Sequence, residues 1–469
     1  MAHEPAFQER VKKALQNENM KKALRNVQAT FRNGRDRQVE IMGNWDEWVD
    51  RAKEIRAHVL ENLDSYLDQF STNVEKNGGK VFFAATGQEA IEYITNLARE
   101  KNCKTFVKSK SMVSEEIHLN HALEEMGIDV AETDLGEYII QLAHEPPAHI
   151  VGPALHKTRE EISELFSQLA GKKLSKDTPT LTRFVRKTLR PKFLNAEIGM
   201  TGCNFAVAST GSVVVVTNEG NADMSTISPK AHIVLMGMER IVPDWKSLDV
   251  CQTLLPRAAT GQAMNVYTNV ISGPKQAADI DGPEEWHVVI LDNGRSNILG
   301  TKYREVLHCI RCGACLNYCP TYRQIGGQAY GFAYSGPIGA ILACLLDDIK
   351  VWKDLPFACT LCGACTENCS VGIPLDQFIL QLRVEAVQKG LTPWSERVAM
   401  KAFSTAASNP GLYELGLKIG RSVLRGRANQ DGVIEKGPGP LAAWTQHKDF
   451  PLPAEQSFRD WWRKEGGNQ

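Results

Sequence analysis

Cys309-Ile310-Arg311-Cys312-Gly313-Ala314-Cys315-Leu316-Asn317-Tyr318-Cys319-Pro320 is answered 50 residues later by Cys359-Thr360-Leu361-Cys362-Gly363-Ala364-Cys365-Thr366-Glu367-Asn368-Cys369. Both runs read C-x2-C-x2-C-x3-C, and together they hold eight of the chain's 12 cysteines. Three thiolates two residues apart on a tight loop grip three corners of a [4Fe–4S] cube, and the fourth leaves on a helix to reach the other cube. The Gly-Ala between the second and third cysteines lets the backbone wrap close, with amides aimed at sulfur. This crossing predicts one cluster on Cys309, Cys312, Cys315 and Cys369 and a second on Cys359, Cys362, Cys365 and Cys319. It also keeps the two clusters near enough to exchange electrons. Zinc sites use two C-x2-C pairs or mix in histidine, not two identical four-cysteine runs. The predicted cofactors are therefore two [4Fe–4S] clusters, with all eight cysteines as metal ligands and no residue assigned to catalysis.

Outward from the cysteines, residues 299–395 read as an α-helical two-cluster ferredoxin-type domain, with Cys344 a core residue on the apolar stretch Gly339–Leu346. Cys103, Cys203 and Cys251 lack partner spacing and read as structural. Residues 396–469 form a helical, aromatic-rich C-terminal region. Its linker, Gly437-Pro438-Gly439-Pro440, precedes Trp444, Phe450, Phe458, Trp461 and Trp462, an aromatic set expected to dock on its own chain.

Upstream, residues 71–298 alternate between apolar strands and helices, which predicts an α/β domain with a largely buried sheet. The expected strands include 80–84, 105–107, 129–131, 213–216, 232–235 and 287–291, and the expected helices 88–100, 111–126 and 136–143. Turns are expected at Thr201-Gly202, at Ser209–Ser212 and at Asn218–Asn221. Residues 1–70 read as a helical segment, with Val11–Phe31 mixing Lys and Arg with Ala and Leu. Its basic lean fits a solvated helix face better than nucleic-acid contact.

The chain has 469 residues, 54 Lys+Arg against 55 Asp+Glu, and a formal net charge of −1. That balance argues against a nucleic-acid partner. With 43% hydrophobic and 23% charged residues, disorder and fibrous repeats are excluded. No apolar h-region follows Met1–Pro5, and no apolar run approaches membrane-spanning length, so a cytoplasmic protein with reduced thiols is expected. Neither a GxGxxG after a strand nor a GxxxxGK[ST] is present.

Thirty-nine residues separate Cys319 from Cys359, a long gap for a compact bacterial ferredoxin. The insert carries Gly326-Gly327-Gln328-Ala329-Tyr330-Gly331 and Tyr334-Ser335-Gly336-Pro337-Ile338-Gly339 and resembles the helical ferredoxin modules of multi-subunit respiratory dehydrogenases. With Lys80–Thr86, Thr201–Asn221 and the end Ser457-Phe458-Arg459-Asp460-Trp461-Trp462, the chain resembles the lactate utilization protein B family over nearly its full length. The resemblance implies an N-terminal α/β domain similar to the sugar-isomerase and CoA-transferase group. It further implies two partner subunits, one cysteine-rich and one sharing the α/β domain, which together with this chain oxidise L-lactate to pyruvate. Association with the membrane would then run only through partners. Members can lack the first cysteine of the second run; Cys359 is present here.

The leading expectation is a non-catalytic electron-transfer subunit of an L-lactate-oxidising system with an unidentified electron acceptor. Alternatives are an electron carrier for a different 2-hydroxy-acid or organic-acid dehydrogenase, or a CoA-transferase-like enzyme with Glu219 as carboxylate nucleophile. An iron–sulfur sensor or scaffold is disfavoured, because no nucleic-acid or signalling module is evident. Arg311 and Glu367, inside the two ligand loops, are candidates for separating the cluster potentials, with plain surface charge the stronger reading. Lys108, Lys110, His118 and His121 are candidates for an anionic pocket, against the stronger reading of a solvated helix and loop.

Overall fold

Unbroken apolar runs such as Val288-Val289-Ile290-Leu291 demand cover on both faces, and the chain supplies it with helices. The computed structural model describes residues 6–439, 441–446 and 448–466. Its strands before residue 300 are β1 (Lys80–Ala84), β2 (Thr105–Lys108), β3 (Asp129–Glu132), β4 (Ile198–Thr201), β5 (Phe205–Val207), β6 (Ser212–Thr217), β7 (Ala231–Gly237), β8 (Ile241–Val242), β9 (Tyr267–Ile271) and β10 (Glu285–Leu291). Six of them form one parallel sheet in the order β1-β10-β7-β4-β2-β3. Central β7 is buried along its whole length, whereas edge strand β1 leaves Phe83 exposed. The main core packs Phe106, Ile198, Ile233 and Val289 against Ile94 and Leu123 of the covering helices.

Val213–Val216 does not join this sheet. It lies in β6 of a second, four-stranded sheet ordered β8-β5-β6-β9, where β6 pairs antiparallel with both β5 and β9. The reason is the tight turn at Ser209–Gly211, which folds β5 directly back on β6, whereas a parallel neighbour needs a long crossover. Gly211 sits there at φ +65°, and a Cβ on it would come 2.5 Å from the Val74 backbone nitrogen.

Other local expectations shift too. The helix expected over 111–126 is two short helices, Met112–Glu116 and Leu119–Glu125, broken where His118 turns left-handed at φ 56°. Thr201 ends β4 rather than opening a turn. The first helices, Phe7–Leu15 and Glu18–Met42, are separated at Asn17, whose side chain caps the second by accepting from Met20 N at 2.9 Å. Two helices between β3 and β4 lie outside the expected set: Arg159–Ala170, with a Thr158/Glu161 capping box, and Thr178–Asn195, capped by Asp177.

The chain divides into two compact units, Met1–Ala386 and Val387–Gln469. In the first, the long N-terminal helix braces the cysteine segment: Gln28 Nε2 donates to the carbonyls of Leu316 (2.7 Å) and Cys319 (3.1 Å). Arg35 of the same helix lies 5.5 Å from the Tyr318 ring centre and is buried, so this face is packed rather than solvated. In the second unit, helices Trp394–Ser408 and Pro410–Arg425 contain no buried residue. The final described helix, Phe458–Glu465, is tied to Pro410–Arg425 by the Arg463–Glu414 ion pair and by Arg459 5.1 Å from the Tyr413 ring centre. Phe458 stacks on Trp462 yet stays exposed. Met1–Pro5 and the Pro440 end of the Gly/Pro linker lie outside the described residues.

Candidate iron–sulfur centres

The two cysteine runs fold into the same loop. In the first, Arg311 at φ 60° and Gly313 at φ 76° curl the backbone around Cys312, and a short helix, Ala314–Tyr318, carries Cys315. In the second, Leu361 at φ 54° and Gly363 at φ 78° do the same before the helix Ala364–Glu367. Left-handed backbone at a non-glycine residue costs energy, and here it occurs at the same place in both loops. The result is amides aimed at sulfur. Arg311 N lies 3.4 Å from Cys309 Sγ, and Leu361 N lies 3.3 Å from Cys359 Sγ. The last cysteine of each run also accepts a backbone amide, Cys319 from Tyr322 and Cys369 from Ile373, both at 3.3 Å.

Cys309, Cys312, Cys315 and Cys369 line one cavity, walled by Ile150, Ile338 and Val371. Cys319, Cys359, Cys362 and Cys365 line another, with Pro320, Pro337 and Asp376. Each run thus lends its fourth cysteine to the other's cavity. Burial pushes the thiols of Cys365 and Cys369 up to about 12 and that of Cys319 to about 11. Such groups become thiolates when a cation holds them. Four sulfurs around a small void, with amides supplied to them, suit an iron–sulfur cube. The remaining cysteines join neither cavity. Burial raises Cys103, Cys203 and Cys344 to about 12 and Cys251 to about 11.

Behind the first loop lies a buried charge network with no counterpart expected from the sequence. Glu239, immediately after β7, accepts from Arg295 Nε at 2.8 Å and faces Arg311 Nη2 at 3.4 Å. Arg295 also makes a two-pronged pair with Glu116 at 2.9 and 2.8 Å, and Tyr334 donates to Glu116 at 2.9 Å. The Arg311 guanidinium rests 4.5 Å from the Tyr334 ring centre. Burial opposes charge on Glu239, but Arg295, Arg240 and Arg311 outweigh it and hold the carboxyl at about 2. Arg311 is therefore not a surface charge, whereas Glu367 is exposed. The signal in the sequence was Met238-Glu239-Arg240, charge set directly against the end of an apolar strand.

The four residues considered for an anionic pocket part company. Lys108 is fully buried and bonded at 2.7 Å to both Glu115 and Glu132, so it serves the core. His118 and His121 are exposed. Lys110 lines a cavity of about 310 Å³ at the carboxyl ends of β2 and β4, with Glu219, Arg240 and Arg311 also in its wall. Glu219 Oε2 accepts from Leu135 N at 3.3 Å, and burial followed by nearby Asp134 raises its carboxyl.

Three family models match the chain in succession. The LUD domain matches residues 67–291, a 4Fe-4S dicluster domain matches 305–373, and the C-terminal part of lactate utilisation protein B matches 382–467. Lactate utilization protein B of Geobacillus sp. (strain WCH70) is 52% identical over 98% of this chain and 97% of its own length. The chain belongs to the lactate utilization protein B family. Proteins of that name from Lysinibacillus sphaericus (strain C3-41) and from Bacillus licheniformis are 52% and 51% identical, covering 97% and 98% of this chain and 96% and 98% of their own lengths. A solved DUF162 family protein from Deinococcus radiodurans aligns at TM-score 0.27 and 12% identity, over 49% of this chain and 98% of that one. The dicluster match brackets both cysteine loops of this lactate utilization protein B family member. Among the described residues, no helix is long and apolar enough to cross a membrane.

Proposed function

We propose that this chain is the electron-transfer subunit of an L-lactate-oxidising system, passing on electrons released as L-lactate becomes pyruvate. The observation that carries the reading is the sorting of eight cysteines into two crossed quartets within a chain of the lactate utilization protein B family. Cys309, Cys312, Cys315 and Cys369 would hold one [4Fe–4S] cluster, and Cys319, Cys359, Cys362 and Cys365 a second. Bound clusters of this type accept and donate single electrons. The protein's own part is to fix the sulfurs, to give amide N–H groups to Cys309, Cys319, Cys359 and Cys369, and to set Arg311 beside the first quartet. Both quartets draw on both loops, which would hold the two clusters side by side. The reading includes two further subunits and an acceptor outside this chain, with no catalytic residue on it. It also includes the kinship of the α/β domain with the sugar-isomerase and CoA-transferase group.

The test uses the tagged chain purified anaerobically with its bound subunits. L-lactate should bleach the cluster absorbance and produce the EPR signal of reduced clusters, with dithionite as the reducible control. No response to lactate in a dithionite-reducible preparation that retains its partners would contradict the assignment.

A further inference from the structure

The 310 Å³ cavity sits at a special place in the main sheet. β2 has β3 on one side and β4 on the other. The chain leaves β2 toward β3 and returns on the opposite side at β4, so the loops after β2 and β4 part and open a crevice at the carboxyl ends of the strands. Open α/β sheets bind ligands at such switch points. The crevice wall includes Lys110 after β2 and Asn204 after β4.

Its lining includes buried, underpaired guanidinium groups. Arg240 and Arg311 both line it and are only 6% and 8% exposed. Among the described residues, Arg240 Nε and Arg311 Nε and Nη1 have no hydrogen-bond partner, nor does Asn265 Nδ2 on the cavity wall. Glu239 is 3.7 Å from Arg240 Nε and is already shared with Arg295, while Asp134 and Glu219 also line the crevice, Glu219 accepting from Leu135 N. Arg56, Arg240, Arg295 and Arg311 are all buried here, against buried Glu239 and Glu116. Desolvated guanidinium donors without acceptors are costly, and an anion in the crevice would offset that cost. A cluster on the first quartet would bring negative charge beside Arg311, which lines both cavities, whereas Arg240 lines only the crevice. Arg240 nevertheless reaches the Cys309 carbonyl through Nη1 at 3.4 Å, and Ile150 walls both cavities.

We propose that this crevice binds a small organic carboxylate of the 2-hydroxy- or 2-oxo-acid class, its carboxylate against Arg240 and Arg311, next to the cysteine quartet that contains Cys309. The anion site rests on the unpartnered guanidinium and amide donors; the choice of acid class rests on the lactate reading above. Lys110 is also in the wall, its Nζ donating to the Val151 carbonyl at 2.7 Å.

Equilibrium dialysis of the anaerobic, cluster-loaded full chain against L-lactate, pyruvate, glycolate and oxalate tests the proposal, with EPR of the dithionite-reduced protein read alongside. Saturable binding at one site per chain is expected, with a change in the EPR lines of the reduced first centre. Arg240→Gln should weaken binding at least tenfold. Asn265→Leu, a wall change away from the charge network, should weaken it at least threefold with iron content unchanged. If none of the four acids binds saturably, or if binding ignores both substitutions in iron-replete protein, the site is overturned, even where lactate still reduces the clusters through partners. If glycolate or oxalate binds with this variant dependence while L-lactate neither binds nor reduces the clusters, the site stands and the lactate reading falls.

Discussion

Arg311 and Leu361 hold the same position in two loops of one design, each left-handed and each sending its amide to the first sulfur of its run. Their surroundings differ. Arg311 is buried against Tyr334 and Glu239, and Ser370 Oγ lies 3.3 Å from Cys312 Sγ. The second loop leaves Cys362 exposed and faces Asp376, whose backbone N donates to Thr366 Oγ1 at 3.2 Å. Ligand spacing decides what is bound. Burial, nearby charge and hydrogen bonds to sulfur decide at what potential it works. The first quartet is set beside several buried arginines and the second between Asp376 and a half-buried Arg383 that donates to the Cys359 carbonyl, so the repeat is a duplication of geometry but not of energetics.

The comparison breaks most sharply at the crossing. Cys369→Ala should remove the first centre and spare the second, so iron per chain falls by about half in a two-cluster protein, with one EPR signal lost. Loss of the second centre instead would mean that each run ligates its own cube. Next in size is Glu239→Gln, which strips the counter-charge from Arg295, Arg240 and Arg311. Breaking a buried pair in this way costs roughly 3–5 kcal/mol, to be read from denaturant unfolding, whereas Glu367→Gln on the exposed second loop should stay within about 0.5 kcal/mol. The folded Glu239 carboxyl is held at about 2, below its ordinary 4.5. Its stabilisation is therefore complete above about pH 4.5 and is lost as pH falls from there toward 2, a loss that Glu239→Gln should remove from the acid-unfolding profile.

Smaller effects sharpen the electrostatic side. Arg311→Leu copies the second loop's residue into the first and withdraws a positive charge that favours the added electron. The first centre's midpoint should fall by about 60 mV, one tenfold factor for a one-electron couple, with the second unmoved. Asp376→Asn should raise the second centre's midpoint by a smaller amount, about 20–30 mV, because water at exposed Cys362 screens the lost charge. Equal shifts at both centres in either variant would mean that the two surroundings are not separate.

The sequence made the cysteine quartets and the α/β alternation legible because each depends on local spacing: thiolates at fixed intervals, and strands as unbroken apolar runs such as Ala231–Gly237. It did not reveal the second sheet, because an antiparallel hairpin such as Phe205–Thr217 is apolar in the same way as a parallel strand. Arg159–Ala170 was signalled by Thr158 and Glu161, a capping box that the strand pattern overshadowed. The charge network left only one trace in the sequence, Met238-Glu239-Arg240, for a different reason. Glu116, Glu239, Arg295 and Arg311 lie far apart in the chain, and only the fold makes them neighbours.

The most direct test is a potentiometric EPR titration of the anaerobic, cluster-loaded chain, run beside Cys369→Ala. Two one-electron steps are predicted, with the more positive one absent from the variant, because the arginine excess lies at the first centre. A single step in the wild-type protein, iron sufficient for only one cluster, or loss of the more negative step in the variant would contradict the account.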